Sequence, residues 1–258
     1  MNHTKPLISI VLPVFNAQSY LPTCLDSLLS QNYNDLEIIA IDDFSKDNSY
    51  TILKKYKTNN KRLKIARNIK HYGEAITLNR AIKRAKGQFI AFMDAKDIVY
   101  KEKIKKQVIF LQKSPKVVAV GTQCTFITEK NKRTGTTSFP SESNLIYNQP
   151  LHGISMQFET VMINRHLLPK DLLRFNSNAH PFVYSDIFIK LLQYGELANL
   201  PQPPLQYHRT IHSATNISLS QQLPSLIKLW LQSLTEYDYR PSVRSLLSSF
   251  FKPSLSSQ

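Results

Sequence analysis

The sequence predicts an α/β fold, a mainly parallel central sheet flanked by helices with a short helical extension at the C-terminus. Three observations predict it. Apolar runs rich in β-branched residues alternate with segments whose apolar residues recur at helical spacing, the pattern of βαβ units. The runs are nearly continuous, as expected of strands covered on both faces. Polar clusters at 13–16, 42–45 and 94–97 close three separate runs, which gathers them on one sheet edge, beyond the carboxyl ends of the strands.

LISIVLPVF (7–15) reads as the first buried strand, and Leu21, Leu25, Leu28 and Leu29 mark the helix after it. LEIIAID (36–42) is the second strand. A helix from about Asn48 carries Ile52, Leu53 and Tyr56, with Asp47 or Asn48 as its cap. LKIAR (63–67) is the third strand, and Ala75, Leu78, Ile82 and Ala85 line a helix that Gly87 stops. QFIAFMD (88–94) is the fourth strand, Ile104, Val108 and Leu111 mark a helix ended by Pro115, and VVAVGTQCTFIT (117–128) is the fifth. The polar stretch 129–150 reads as a loop or short hairpin. A helix is expected over 184–194, and PQPP (201–204) reads as a turn or extended connector. Leu223, Leu226, Ile227, Trp230, Leu231 and Leu234 form an amphipathic helix broken by Pro241. The expected domain is 1–215, with halves at 1–128 and 129–215, and 216–258 is the extension.

With 258 residues and 42% hydrophobic content the chain can bury a sizeable core. Cys24 and Cys124 match no metal spacing and read as reduced thiols of a cytoplasmic protein. The start MNHTKPL is too polar for a signal peptide, and no apolar run reaches membrane-spanning length. The net charge of +15 is uneven: residues 54–106 hold 17 Lys and Arg against four Asp and Glu. Such a surplus suits phosphates or the anionic inner face of a membrane, or it is a solubilising face. Nucleic acid is disfavoured, since no RNA-binding signature or zinc spacing accompanies the charge.

ISIVLPVFNAQSYLPTCLDSLLSQNYNDLEIIAIDDFSKDNS and AIKRAKGQFIAFMDAKDI resemble, in order and spacing, the opening and the Asp-x-Asp stretch of the family 2 glycosyltransferases with the Rossmann-like GT-A fold. The resemblance covers roughly residues 6–213. It implies transfer of a sugar, with inversion, from a nucleotide sugar to a glycan or lipid-linked acceptor; uridine diphosphate is the family's commonest carrier. In cell-surface polysaccharide synthesis such a protein would lie in the cytoplasm, peripheral to the membrane. The resemblance assigns Pro13 and Phe15 to walling the base, with Asn16 beside them, and Asp42 or Asp43 to a hydrogen bond with the nucleoside. Ser45 and Asp43 also suit simple capping of the turn. The family usually has Gly where this chain has Phe44. HYGEAITLN (71–79) resembles a further conserved region, in which Gly73 would let the backbone approach the donor.

The resemblance also implies Mn²⁺ or Mg²⁺ at the diphosphate, held here by Asp94 and Asp97, because hard cations suit carboxylate and phosphate oxygens. Lys96 occupies the position of the usual second motif carboxylate. A cation about 4 Å from a divalent ion repels it by several kcal/mol at an effective dielectric near 20. Lys96 therefore points into solvent, or pairs with the diphosphate itself, or the chain binds nucleotide or glycan without turnover. VYSDIFIKLLQYGEL resembles the segment that carries the catalytic base, which assigns Asp186 that role, with Ser185 in place of the usual Glu. An Asp there also favours the helix dipole. Arg209 and His212 of YHRTIH resemble an element that closes over the diphosphate.

Overall fold

A computed structural model of the chain describes residues 5–128, 132–147, 156–179, 183–208 and 219–237. The first part is the expected alternation. β1 (Ile8–Val14), β2 (Leu36–Asp42) and β3 (Leu63–Arg67) are joined by α1 (Leu21–Leu29) and α2 (Ser49–Asn59), and α3 (Glu74–Arg84) leads into β4 (Phe89–Phe92). β1 pairs in parallel with β2 on one side and β4 on the other. Strand order thus reverses beside β1, and the carboxyl ends of β1, β2 and β4 open on one crevice.

Because side chains alternate along a strand, the continuous apolar runs feed two cores. Ile8, Ile10, Leu12 and Val14 pack with α1, α2 and α4 (Lys103–Lys113). Val11, Ile39 and Ile41 pack on the other face with Leu78 and Ile82 of α3 and with Ile187, Phe188 and Leu191 of α6 (Val183–Leu191). Asp47 rather than Asn48 holds the start of α2: its Oδ1 accepts from Ser49 N at 2.9 Å. α3 ends at Arg84, ahead of Gly87. The bare Cα of Gly87 serves β1 instead, since a Cβ there would lie 2.4 Å from the backbone nitrogen of Ser9.

The second part departs from a simple parallel run. β6 (Val117–Ile127), the expected fifth strand, does not sit next to β4; β8 (Met162–Asn164) inserts between them, antiparallel to both. The sheet order is β3-β2-β1-β4-β8-β6-β9-β5, where β9 is Glu196–His208 and β5 is Ile98–Val99. The 129–150 stretch contains the anticipated hairpin, β7 (Arg133–Thr136) against β6, and then α5 (Ser143–Tyr147). PQPP lies inside β9 but outside its ladder. The pairing with β6 steps from Thr122↔Leu200 to Cys124↔Leu205, because prolines bring no N–H to the ladder.

α7 (Leu219–Thr235) is helical as expected. Leu229 and Ser233 are buried, while Ile227, Leu231 and Leu234 are exposed. The side chain of Trp230, the tail from 238 onward, Arg209 and His212 lie outside the described residues. Both cysteines are free and buried. Among the described residues no helix is long and apolar enough to cross a membrane.

Candidate active site

The crevice has two ends. At the first, the turn after β2 is built by hydrogen bonds that explain its residue types. Asn16 takes a left-handed backbone (φ 46°), which Asn tolerates. Its Oδ1 accepts from Lys46 N at 2.9 Å, and its own N–H donates to Ser45 Oγ at 3.0 Å. Ser45 N donates in turn to Asp42 Oδ2, which also accepts from Arg67 Nε at 3.0 Å. Asp42 has no exposed surface, and its Oδ1 is buried without a hydrogen bond. Asn16, Asp42 and Ser45 therefore shape the turn, and Pro13 is a half-buried β1 residue beside it.

The buried Asp43 and the exposed Phe15 are joined through His71 at this end. Asp43 accepts from Asn68 Nδ2 (2.6 Å), Tyr72 N (2.9 Å) and Gly73 N (2.8 Å), and pairs with His71 Nδ1 at 2.8 Å. Burial raises its pKa, but the Asn68, Tyr72, Gly73 and His71 contacts outweigh it and hold the carboxyl below its ordinary value. Gly73 presents its N–H at φ 85°, a conformation that favours glycine. Phe15, 43% exposed, stacks on His71 with ring centroids 4.1 Å apart. The sequence reading missed His71 and Asn68 in this network; the alternation of polar residues after β3 was the available sign.

Phe44 sits at φ 64°, a left-handed conformation that costs an L-residue with a Cβ about 1–2 kcal/mol. Lys46 Nζ lies 3.9 Å from its ring centroid, which holds the ring in place. Phe44→Gly is therefore expected to be more stable than Phe44→Ala by about 1 kcal/mol in urea unfolding. Equal stabilities would mean that the turn relaxes without strain.

The other end is acidic. Asp94 follows β4 and is half-buried, with Oδ1 accepting from Lys96 N at 2.7 Å. Phe92 N donates to Val161 O at 3.1 Å, and β8 pairs Met162 with Ala91. Glu159 lies in a one-turn 3-10 helix (Phe158–Thr160) just ahead of β8, within electrostatic reach of Asp94. Burial and the charges of Asp94 and Glu74 raise Glu159 to about 7, against a hydrogen bond from Gln157. Glu74, the first residue of α3, is exposed along its length, but loss of water around its carboxyl and the charge of Asp94 raise its pKa, although the Tyr184 hydroxyl donates to it. Burial and the charges of Glu74, Glu159 and Asp94 push Tyr184 well above its ordinary value. Its ring stacks on Phe158 at 4.0 Å, and Phe175 and Phe92 pack edge-on and tilted around them. Glu74, Glu159 and Tyr184 come from three separate elements, and the sequence analysis singled out none of them.

Two expected site residues are buried. Asp97 is 1% exposed and lies within electrostatic reach of the buried Lys103 ammonium, which itself donates to Glu159 O. Asp186 has no exposed surface; Lys190 Nζ is 2.6 Å from Oδ2, and the Tyr237 hydroxyl donates to Oδ1 at 3.2 Å. At 100° per residue Asp186 lies roughly 200° around α6 from Tyr184. Tyr184 and Asp186 therefore lie on different sides of α6, and Asp186 is enclosed, bonded to Lys190 one turn along and to Tyr237.

Among the described residues no three or more His, Cys, Asp or Glu side chains form a metal cage. With Asp97 facing Lys103, the motif offers a cation one carboxylate, Asp94. That fits a magnesium- or manganese-type ion held mainly by ligand phosphates and water rather than by protein.

Residues 9–169 match the model of the family described as glycosyl transferase family 2. An uncharacterized glycosyltransferase of Haemophilus influenzae is 33% identical over 68% of this chain and 68% of its own length. The Escherichia coli UDP-Glc:alpha-D-GlcNAc-diphosphoundecaprenol beta-1,3-glucosyltransferase WfgD is 31% identical over 70% of this chain and 66% of its own. S. aureus TarS 1–349, solved with UDP-GlcNAc, superposes with a TM-score of 0.73 at 18% identity, covering 91% of this chain and 68% of that one. The mannosyltransferase PcManGT of Pyrobaculum calidifontis, solved with GDP-Man and Mn²⁺, does so with a TM-score of 0.65 at 15% identity, over 98% and 83%. The two structures share the GT-A fold of this chain, and on the match across most of its length the chain belongs to glycosyl transferase family 2.

Proposed function

We propose that the protein transfers a hexose from a nucleoside-diphosphate sugar, UDP-linked by preference, to the hydroxyl of a glycan or lipid-linked acceptor, with inversion, in cell-surface glycan synthesis. The observation that carries the reading is the adjacency of Asp94 and Glu159 at the carboxyl edge of the sheet, in the same crevice as the Phe15–Asp43 end. Phe15 offers a face for the nucleobase, and Asp43 accepts its N–H once His71 swings aside. Asp94 faces the diphosphate. A divalent cation there, when bound, neutralises charge on the leaving diphosphate. Lys96, half-buried beside Asp94, adds a fixed positive charge of the same sense.

A single displacement needs one base. Glu159 is the carboxylate that supports this role: it is only half-buried, lies within electrostatic reach of Asp94, and has its pKa raised by burial and acidic neighbours, as suits a general base. Tyr184, part-exposed and backed by the buried Phe158 and Phe175, offers a ring against which an acceptor sugar can pack. A second reading, binding without turnover, is favoured by the enclosure of Asp186 and by Lys96.

Thermal melts with a panel of nucleotide sugars, with and without Mn²⁺, test the reading. The matching donor at about a hundred times its Kd should raise Tm by roughly 5–10 °C, and product should follow on adding acceptor. A shift without turnover selects the second reading, and no shift with any donor removes both.

A further inference from the structure

A second concave site lies outside the crevice. It is a groove of about 950 Å³ between the outer face of α3 and the segment 165–174, which leaves the end of β8 and runs back along that helix. Its walls are stapled in place. Asn79 accepts from Phe175 N and donates to Phe175 O, each at 2.8 Å, closing the upper end. Arg165 donates to Ala85 O at 2.8 Å, closing the lower end. The groove is thus preformed, and two of its lining side chains are already committed to holding it open.

Its chemistry is one-sided. Lys83, Lys86, Arg165, His166, Lys170 and Arg174 line it, against a single carboxylate, Asp171. Lys83, Lys86, Lys170 and Arg174 are exposed and take part in no ion pair among the described residues. Crowded like charges destabilise an empty groove, and an anion relieves them. Between the cations the lining is apolar: Ile76, Ile82, Leu168 and Leu173. Among the described residues no Phe, Tyr or Trp lines it, so it lacks the broad stacking platform that single-stranded nucleic acid uses. For a polyol-phosphate chain it offers few side-chain hydroxyl acceptors, Asp171 and Gln88, since Asn79 is already bonded. Cations alternating with aliphatic side chains match phosphate headgroups at the edge of acyl chains.

We propose that this groove docks the protein on an anionic bilayer through lipid phosphates. Phe175 links the groove to the crevice, because its ring packs against Phe158, next to Glu159. Gly87 and Gln88 precede β4 and Arg165 follows β8, so the basic end of the groove lies at the amino edge of the sheet, away from the crevice, and the docking does not rest on the proposed function.

The test is sedimentation of the full chain with phosphatidylcholine vesicles, with and without phosphatidylglycerol. The groove variant is Lys83→Gln/Lys86→Gln/Lys170→Gln/Arg174→Gln. The control, Lys55→Gln/Lys57→Gln/Lys61→Gln/Lys113→Gln, removes the same charge from exposed sites elsewhere. Wild type and control should bind the anionic vesicles, and the groove variant should bind them more weakly by on the order of a hundredfold. No binding by wild type, an equal loss in both variants, or stronger retention on RNA or on a soluble glycerol-phosphate polymer overturns the proposal. Sugar-nucleotide hydrolysis without vesicles, expected to be unchanged in the groove variant, reads the crevice separately.

Discussion

Lys103→Met is expected to lower the free energy of unfolding by about 1–3 kcal/mol, the usual cost of leaving a buried polar partner unsatisfied, since it takes the donor from Glu159 O and the nearby cation from Asp97. Lys103 is 1% exposed, and so is Asp97. The ammonium donates to Glu159 O at 3.0 Å. Burial pulls its pKa down to about 8, while Asp97 and Glu159 pull the other way. The methionine fills the same space but leaves the Asp97 charge buried without its cation. Lys103→Met/Asp97→Asn, which removes both charges, should recover part of the loss. A neutral single variant would show that Asp97 is stabilised by something other than this lysine.

The same group predicts a pH dependence. An unfolded lysine titrates near 10.4, above the folded value of about 8. Between these values the unfolded chain keeps a proton that the native state has lost, so the contribution of this group to stability rises with pH across that window. Below pH 8 both states are protonated, and burying the charge costs about 3 kcal/mol relative to the high-pH limit. The difference in stability between wild type and the double variant should therefore grow in favour of wild type from about pH 8 to about pH 10.5. A flat difference would mean that Lys103 is not desolvated in the native state.

The parts of this fold legible in the sequence are those set by local pattern. Continuous apolar runs locate β1, β2, β3, β4 and β6, and the polar residues that end them locate the crevice. β8 was not legible, because Met162–Asn164 is too short to show a period, and its place between β4 and β6 depends on pairing across the sheet. Glu159 was hidden because the one-turn 3-10 helix that brings it within reach of Asp94 is too short to leave a sequence pattern. Asp186 shows a different limit. The apolar residues of α6 reveal a helix, but a two-residue change of phase decides on which side of it a side chain lies. Its spacing to Lys190, one helical turn, was the readable sign that Asp186 is tied within its own helix.

That difference of phase leads to a contrast between two carboxylates. Glu159→Gln is expected to lower kcat by on the order of 10²–10⁴, the range of general-base contributions, with donor affinity nearly unchanged. Asp186→Asn should instead lower stability, because Lys190, with 16% of its side chain exposed, loses its counter-charge. The folded fraction of that variant should retain its kcat. Measuring kcat per folded molecule, with folding followed by circular dichroism, separates the two effects. Glu159 lies within electrostatic reach of Asp94, and its backbone is pinned by Lys103, so its loss removes a group without disturbing a fold element. If Asp186→Asn loses kcat by a hundredfold or so while Glu159→Gln does not, the base is Asp186. In that case α6 must turn during the reaction, releasing Lys190 and Tyr237, and a Tyr237→Phe substitution, which removes one of those two restraints, should then raise kcat rather than leave it unchanged.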